Sequence, residues 1–250
     1  MSEIIENPWT RLRSFTGARL ALGRAGDSLP TREVLEFGLA HAQARDAVHH
    51  ALNAEALIRD MAAQGLESIT VQSAAQDRAE YLRRPDLGRK LNAESRSRLA
   101  SFSKCDIVFI IADGLSAIAP ERHAISMLQQ MKHTLDGWHI APVIVATQAR
   151  VALGDEIGEL LKAEMTVMLI GERPGLSSPD SLGIYLTYDP RVGRTDADRN
   201  CISNVRPEGL SYEAAAYKLY HLMLAARKIG HSGVALKDES DQLRLNRSNR

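Results

Sequence analysis

Cys105-Asp106-Ile107-Val108-Phe109-Ile110-Ile111-Ala112 is a short run of β-branched and apolar residues, and it leads straight into Asp113-Gly114-Leu115-Ser116. Such a run has the composition of a strand covered on both faces, as in parallel sheets. Toward the C-terminus, Pro120 suits a helix first turn, and Ala124, Leu128, Met131 and Leu135 follow at helical spacing. Pro142 to Ala146 reads as a second buried strand, Leu153 to Ala163 as a short amphipathic helix and Met165 to Ile170 as a third strand. Ile184 to Tyr188 reads as a fourth. A long loop is predicted to Gly209, then a helix from Ser211, a good N-cap, to Ile229, with Gly230 ending it. Alternating strands and helices with crossovers of this length predict an α/β fold: a parallel sheet with helices on its faces.

Toward the N-terminus the character changes. From Asn7 to about Arg98 the chain is rich in Ala, Leu, Arg and Glu and poor in β-branched residues. Val34, Leu35, Gly38, Leu39 and Ala42 share a helical face after Pro30-Thr31, and Ala54 to Gly65 reads as a helix ended by glycine. Leu66 to Val71 alternates apolar and polar and reads as a short strand. Arg84-Pro85-Asp86-Leu87-Gly88-Arg89 breaks the pattern and leads into a charged helix through Leu99. The expected organisation is a mainly helical part over residues 1–100, an α/β domain over 101–236 and a disordered polar tail over 237–250.

The composition narrows the function classes. Among 250 residues, Lys+Arg number 31 and Asp+Glu 31, so there is no net charge to draw the chain to nucleic acid or an anionic membrane at long range. No apolar run approaches the roughly 20 residues of a membrane span, and the N-terminus lacks a basic segment followed by an apolar one. Cys105 and Cys201 cannot form a disulfide framework, which suits a reducing cytosol. There is no G-x-G-x-x-G after a strand, no Walker-type loop and no H-E-x-x-H metal motif.

In a parallel sheet, ligands sit beyond the carboxyl ends of the strands. Three such ends carry polar or glycine-rich segments: Asp113-Gly114-Leu115-Ser116, Thr147-Gln148-Ala149-Arg150-Val151 and Gly171-Glu172-Arg173-Pro174-Gly175-Leu176. Asp113 and Ser116 read equally as turn and cap residues or as ligand contacts, and Glu172-Arg173 as solvated loop or as site. Cys105 reads as a buried core thiol. Cys201 lies in the polar segment Asp198-Arg199-Asn200-Cys201-Ile202-Ser203-Asn204, where Arg199 makes a low-pKa nucleophile one alternative.

These same segments carry a family resemblance. LGRAGDSLPT, YLRRPDLGRKL, IADGLS, RVALGDEIGELL, LIGERPGL, DRNCISNV and YEAAAYKLYHL occur in this order from near the start to the last long helix. They resemble the light chain, or small subunit, of ethanolamine ammonia-lyase. The resemblance implies a Rossmann-like domain behind a small helical N-terminal part, supporting adenosylcobalamin against a larger heavy chain, with six of each chain in the assembly. It also implies conversion of ethanolamine to acetaldehyde and ammonia by a radical route. The cofactor contacts it implies are Val151, Glu172 and Cys201, with no catalytic or metal-ligating residue in this chain. No Asp-x-His-x-x-Gly occurs, so the cofactor is expected base-on, with its own dimethylbenzimidazole beneath cobalt. Some members carry a long extension ahead of Glu6-Asn7-Pro8, associated with bacterial microcompartments. Only a few residues precede it here, so a free cytoplasmic enzyme and a packaged one both stand as expectations. The competing readings are a stand-alone Rossmann-like nucleotide-binding or regulatory protein and a hydrolase using Cys201.

Overall fold

The computed structural model describes residues 4–100, 102–132 and 134–240. The chain begins with a two-stranded ribbon, β1 (Ile4–Ile5) antiparallel to β2 (Arg24–Ala25). Helices α1 (Thr31–His49) and α2 (Ala54–Ala63) follow, then β3 (Ser68–Gln72), α3 (Arg78–Arg83) and α4 (Ala93–Leu99). The remainder runs β4 (Ile107–Ala112), α5 (Ile118–Lys132), β5 (Val143–Thr147), α6 (Leu153–Leu160), β6 (Met165–Gly171), β7 (Leu182–Tyr188), β8 (Arg199–Val205) and α7 (Tyr212–Ile229). Among the described residues there are seven α-helices and one six-stranded sheet, in the order β3-β5-β4-β6-β7-β8.

Every residue of β4 is buried because the strand is central and covered twice. Ile107, Phe109 and Ile111 point to a layer holding Met127 and Met131 of α5, Leu219 and Met223 of α7, and Leu57 and Met61 of α2. Val108, Ile110 and Ala112 point the other way, to Leu153 and Ile157 of α6 and Leu99 of α4. Alternation of side chains across the pleat thus turns one apolar run into the shared centre of two cores.

Helix boundaries follow their cap chemistry. Asn53, Asp77 and Asn92 each accept a backbone N–H from three residues on, at the starts of α2, α3 and α4. Ser211 does the same for α7, whose other end is Gly230 at φ 77°. In α1 the outcome is different. Val34, Leu35 and Leu39 are largely exposed, and the buried residues are Glu33, Ala40 and Ala47.

The sheet departs from an all-parallel arrangement. β3, β5, β4 and β6 are parallel, but β7 returns antiparallel to β6 and β8 antiparallel to β7. Residues 172–181 connect β6 to β7 without a helix, and a connection of that kind can only bring the chain back alongside. The long loop expected after Tyr188 therefore contains a strand, β8, with Arg199, Ile202 and Val205 buried and the residues between them largely open. One-sided cover is why it reads as polar. β3 also comes from before residue 100, pairing from Ser68 with Val143 to Gln72 with Thr147. Of the segment read as a disordered tail, residues 237–240 return against α7, where Lys218 meets Asp238 at 3.2 Å and Ser240 is buried. Residues 241–250 lie outside the described ones.

Candidate functional site

The loops after β4 and β6 touch backbone to backbone. A Cβ on Gly171 would lie 1.9 Å from the Ser116 carbonyl oxygen, and one on Gly114, at φ +54°, would lie 2.2 Å from the Gly171 carbonyl oxygen. Only glycine permits that approach. The loop after β5 is fixed to the same edge by Asp113. Its carboxylate accepts the backbone N–H groups of Gln148 at 2.8 Å and Ala149 at 2.9 Å, and the Arg78 guanidinium at 3.2 Å. Burial pushes the Asp113 carboxyl up, while the two amides and Arg78 oppose it. Asp113 is thus a turn clamp, and Ser116 is one as well, donating its hydroxyl to the Pro179 carbonyl at 2.7 Å.

Between these loops opens a cleft of about 140 Å³, lined by Tyr81, Leu115, Arg150, Val151, Ile170, Glu172, Arg173 and Tyr185 together with Gly114 and Gly171. Val151 and Glu172 therefore meet in one cleft. The Glu172 carboxylate accepts the Ser181 hydroxyl in a short hydrogen bond and the Asn204 N–H at 3.3 Å, and the backbone N–H of Glu172 binds the Ser181 carbonyl.

Cys201 is not in a loop. It lies in the middle of edge strand β8, directly across from Tyr185. Cross-strand partners share a sheet face, so Cys201 extends the surface that begins at Tyr185 and Glu172. Desolvation pushes the Cys201 thiol up, the Tyr185 hydroxyl pulls it down and the Glu172 carboxylate pushes it up again. The net upward shift is the reverse of what a thiolate nucleophile requires. Burial also raises the Tyr185 hydroxyl, with Cys201 and Glu172 adding to it.

The sequence reading passed over the support beneath the cleft. Tyr81 is fully buried, and its hydroxyl donates to the Ala149 carbonyl at 3.1 Å. Arg78 lies 4.8 Å from its ring centroid and Arg150 lies 4.4 Å from it. Gly88 is the sequence trace of this stack: a Cβ there would meet Arg150 Cγ at 2.9 Å and the Tyr81 ring at 3.0 Å. Three buried polar atoms here have no hydrogen-bond partner among the described residues: Arg78 Nη2, Gln148 Oε1 and Arg150 Nε. Among the described residues no three His, Cys, Asp or Glu side chains cluster as metal ligands would, and no helix is long and apolar enough to cross a membrane.

Comparison with known proteins gives this geometry a context. Residues 6–237 match the family model described as ethanolamine ammonia-lyase light chain. The ethanolamine ammonia-lyase small subunit of Pseudomonas putida (strain W619) is 56% identical over 243 residues, covering 94% of this chain and 89% of that one. The small subunit from Azotobacter vinelandii is 55% identical, covering 98% and 93% respectively. That from Xanthomonas campestris pv. campestris is also 55% identical, covering 94% and 89%. A match of this extent, at this identity, places the chain in the ethanolamine ammonia-lyase light chain family, as the small subunit of that lyase.

Proposed function

We propose that the chain supports adenosylcobalamin against an ethanolamine ammonia-lyase heavy chain, presenting the cleft at the carboxyl edge of its sheet to the corrin. The observation that carries this reading is the meeting of Val151 and Glu172 in one cleft, with the Tyr185–Cys201 pair continuing the surface. The chemistry of the donor set fits the group. A corrin is rimmed by carboxamides, each both a donor and an acceptor, and the cleft offers Glu172 as an acceptor and the guanidinium of Arg150, which has no ion pair or side-chain hydrogen bond among the described residues, as a donor. Val151, Leu115 and Ile170 supply apolar wall, and Gly114 and Gly171 let the two loops that line the cleft close backbone to backbone.

In this reading residues 101–236 form a Rossmann-like supporting domain, and residues 1–100 contribute β3 and the helical part. When bound, adenosylcobalamin supplies the radical chemistry by which ethanolamine yields acetaldehyde and ammonia. The residues of this chain bind and orient. Glu172 accepts carboxamide N–H groups as a carboxylate held by Ser181 and Asn204, Val151 packs against the ring system, and Cys201 contacts it with a protonated thiol. Binding is base-on, and the assembly holds six of each chain. The location is the cytoplasm, free or inside a microcompartment.

Co-expression with a heavy chain tests the proposal. The purified pair is expected to retain added cobalamin, seen by its visible absorbance, and to release ammonia from ethanolamine. This chain alone is expected to do neither. Turnover by the single chain, or a pair that leaves cobalamin free, overturns it.

A further inference from the structure

Two arginines stack on the Tyr81 ring, and they are treated differently. Arg78 is anchored within the chain: Nη1 reaches Asp113 at 3.2 Å and the Gly114 carbonyl at 2.8 Å, and Nε reaches the Val48 carbonyl at 2.8 Å, which leaves only its buried Nη2 without a partner. Arg150, 4.4 Å from the ring centroid, makes no ion pair or side-chain hydrogen bond among the described residues, and its Nε is buried without a partner. Its position is nevertheless strongly determined. The Arg150 backbone N–H binds the Gly88 carbonyl at 2.8 Å, its stem passes over Gly88 where no Cβ could fit, and the next residue is Val151. A guanidinium is a permanent cation with donors in a rigid fork, and withdrawing one from water without an acceptor is costly. Stacking on an aromatic ring compensates the charge but not the N–H. Nε is closed off from solvent, whereas the two Nη groups are neither closed off nor paired within the chain, so they are the donors left to meet an acceptor in the cleft that Arg150 lines.

We infer that Arg150 is a further binding residue of this site, donating from the Tyr81-supported guanidinium to an oxygen acceptor of the bound cobalamin. The inference rests on the cofactor reading above. Two oxygens share the required chemistry: a carboxamide carbonyl on the corrin rim and the phosphodiester of the nucleotide loop. Glu172 and Arg150 then act as a complementary pair, one accepting from the ligand and the other donating to it.

The experiment uses the complex with the heavy chain and measures binding of cyanocobalamin by equilibrium dialysis and visible absorbance. Arg150→Gln is expected to weaken binding by about tenfold or more, the usual loss for a hydrogen bond to a charged group. Dicyanocobinamide, which lacks the phosphodiester and base, identifies the acceptor: a loss that persists assigns a ring carboxamide, and a loss that disappears assigns the phosphodiester. Wild-type affinity in Arg150→Gln, with Glu172→Ala weakened, overturns the role of Arg150 and leaves the cofactor site standing. Wild-type affinity in both variants overturns the role together with the site. Should Arg150→Gln fail to assemble, Arg150→Lys decides by the same assay, since it keeps charge and stem but lacks the planar fork of N–H donors. A loss of about threefold or more in that variant supports the role, and unchanged affinity overturns it.

Discussion

Asp155 and Arg199 form a two-pronged ion pair between the first turn of α6 and the first residue of β8, with Nη2 2.8 Å from Oδ2 and both side chains buried. The pair links the helix that follows Val151 to the strand that carries Cys201, so it sets the spacing of two of the proposed contacts. Removing one partner strands a buried charge, and Arg199→Met is expected to cost about 3–5 kcal/mol. Urea denaturation checks this. The double variant Asp155→Leu with Arg199→Met is expected to recover most of the loss, since a matched apolar pair has no charge to bury.

Gly171→Ala is expected to destabilise the protein by about 3 kcal/mol, at the upper end for overpacking, because the obstacle is a backbone carbonyl and not a flexible side chain. Its melting temperature is expected to fall accordingly. A variant as stable as wild type would mean that the loops after β4 and β6 separate easily.

Glu172→Ala is expected to weaken cobalamin binding by about ten- to a hundredfold in the presence of the heavy chain, and Glu172→Gln by less, since its carbonyl still accepts. Stability is expected to change little, because the carboxylate's protein partners are one hydroxyl and one amide at the sheet edge. Absorbance titration separates the two effects.

The exposed apolar side of α1 is expected to face the heavy chain. Leu35 is 68% exposed and Leu39 61%, values that leave two leucines almost without cover in this chain. Leu35→Glu with Leu39→Glu is expected to abolish co-purification of the heavy chain while leaving the circular dichroism of this chain unchanged. Retained association would place the interface elsewhere.

His123 makes stability depend on pH. It is buried on α5 beneath the loop 172–181, with Tyr212 of α7 at 2.8 Å from Nδ1, Asp180 at 3.6 Å from Nε2 and Arg122 beside it; Arg206 also reaches Asp180. Burial holds the imidazole below its ordinary pKa against the pull of Asp180. A folded-state pKa below the unfolded one contributes stability that is complete above the unfolded value and is lost as pH falls through the folded one. Stability is therefore expected to decline as pH falls below the ordinary histidine value of 6.5, and His123→Gln to flatten that decline. Thermal melts across this range provide the check.

The central layers were legible because two-sided burial writes itself into composition: β4, β5 and β6 carry almost nothing but apolar residues. The strand-end positions of Val151 and Glu172 followed from the same runs. β8 was not legible, since an edge strand covered on one side keeps Asn200, Ser203 and Asn204 polar. The antiparallel return of β7 depends on the absence of a helix in 172–181, a negative signal in a segment that also reads as site. Tyr81 was hidden by distance along the chain: its partner carbonyl at Ala149 is 68 positions away, and no local pattern reports such a contact. Helical periodicity located α1 but is silent on whether its apolar side is covered within the same chain.

Edge strand β3 bears on how this gene can be shortened. Its five residues occupy the whole paired length of β5, from Val143 to Thr147. A fragment beginning near residue 101 would keep α5, α6 and α7 over β4, lose Leu57, Met61 and Leu99 from the two apolar layers, and leave β5 as a bare, almost wholly buried-type strand with a free row of backbone donors and acceptors. Such a strand is a template for joining copies edge to edge. Fusions, tags and truncations that spare residues 68–72 keep that template closed, whatever else they remove.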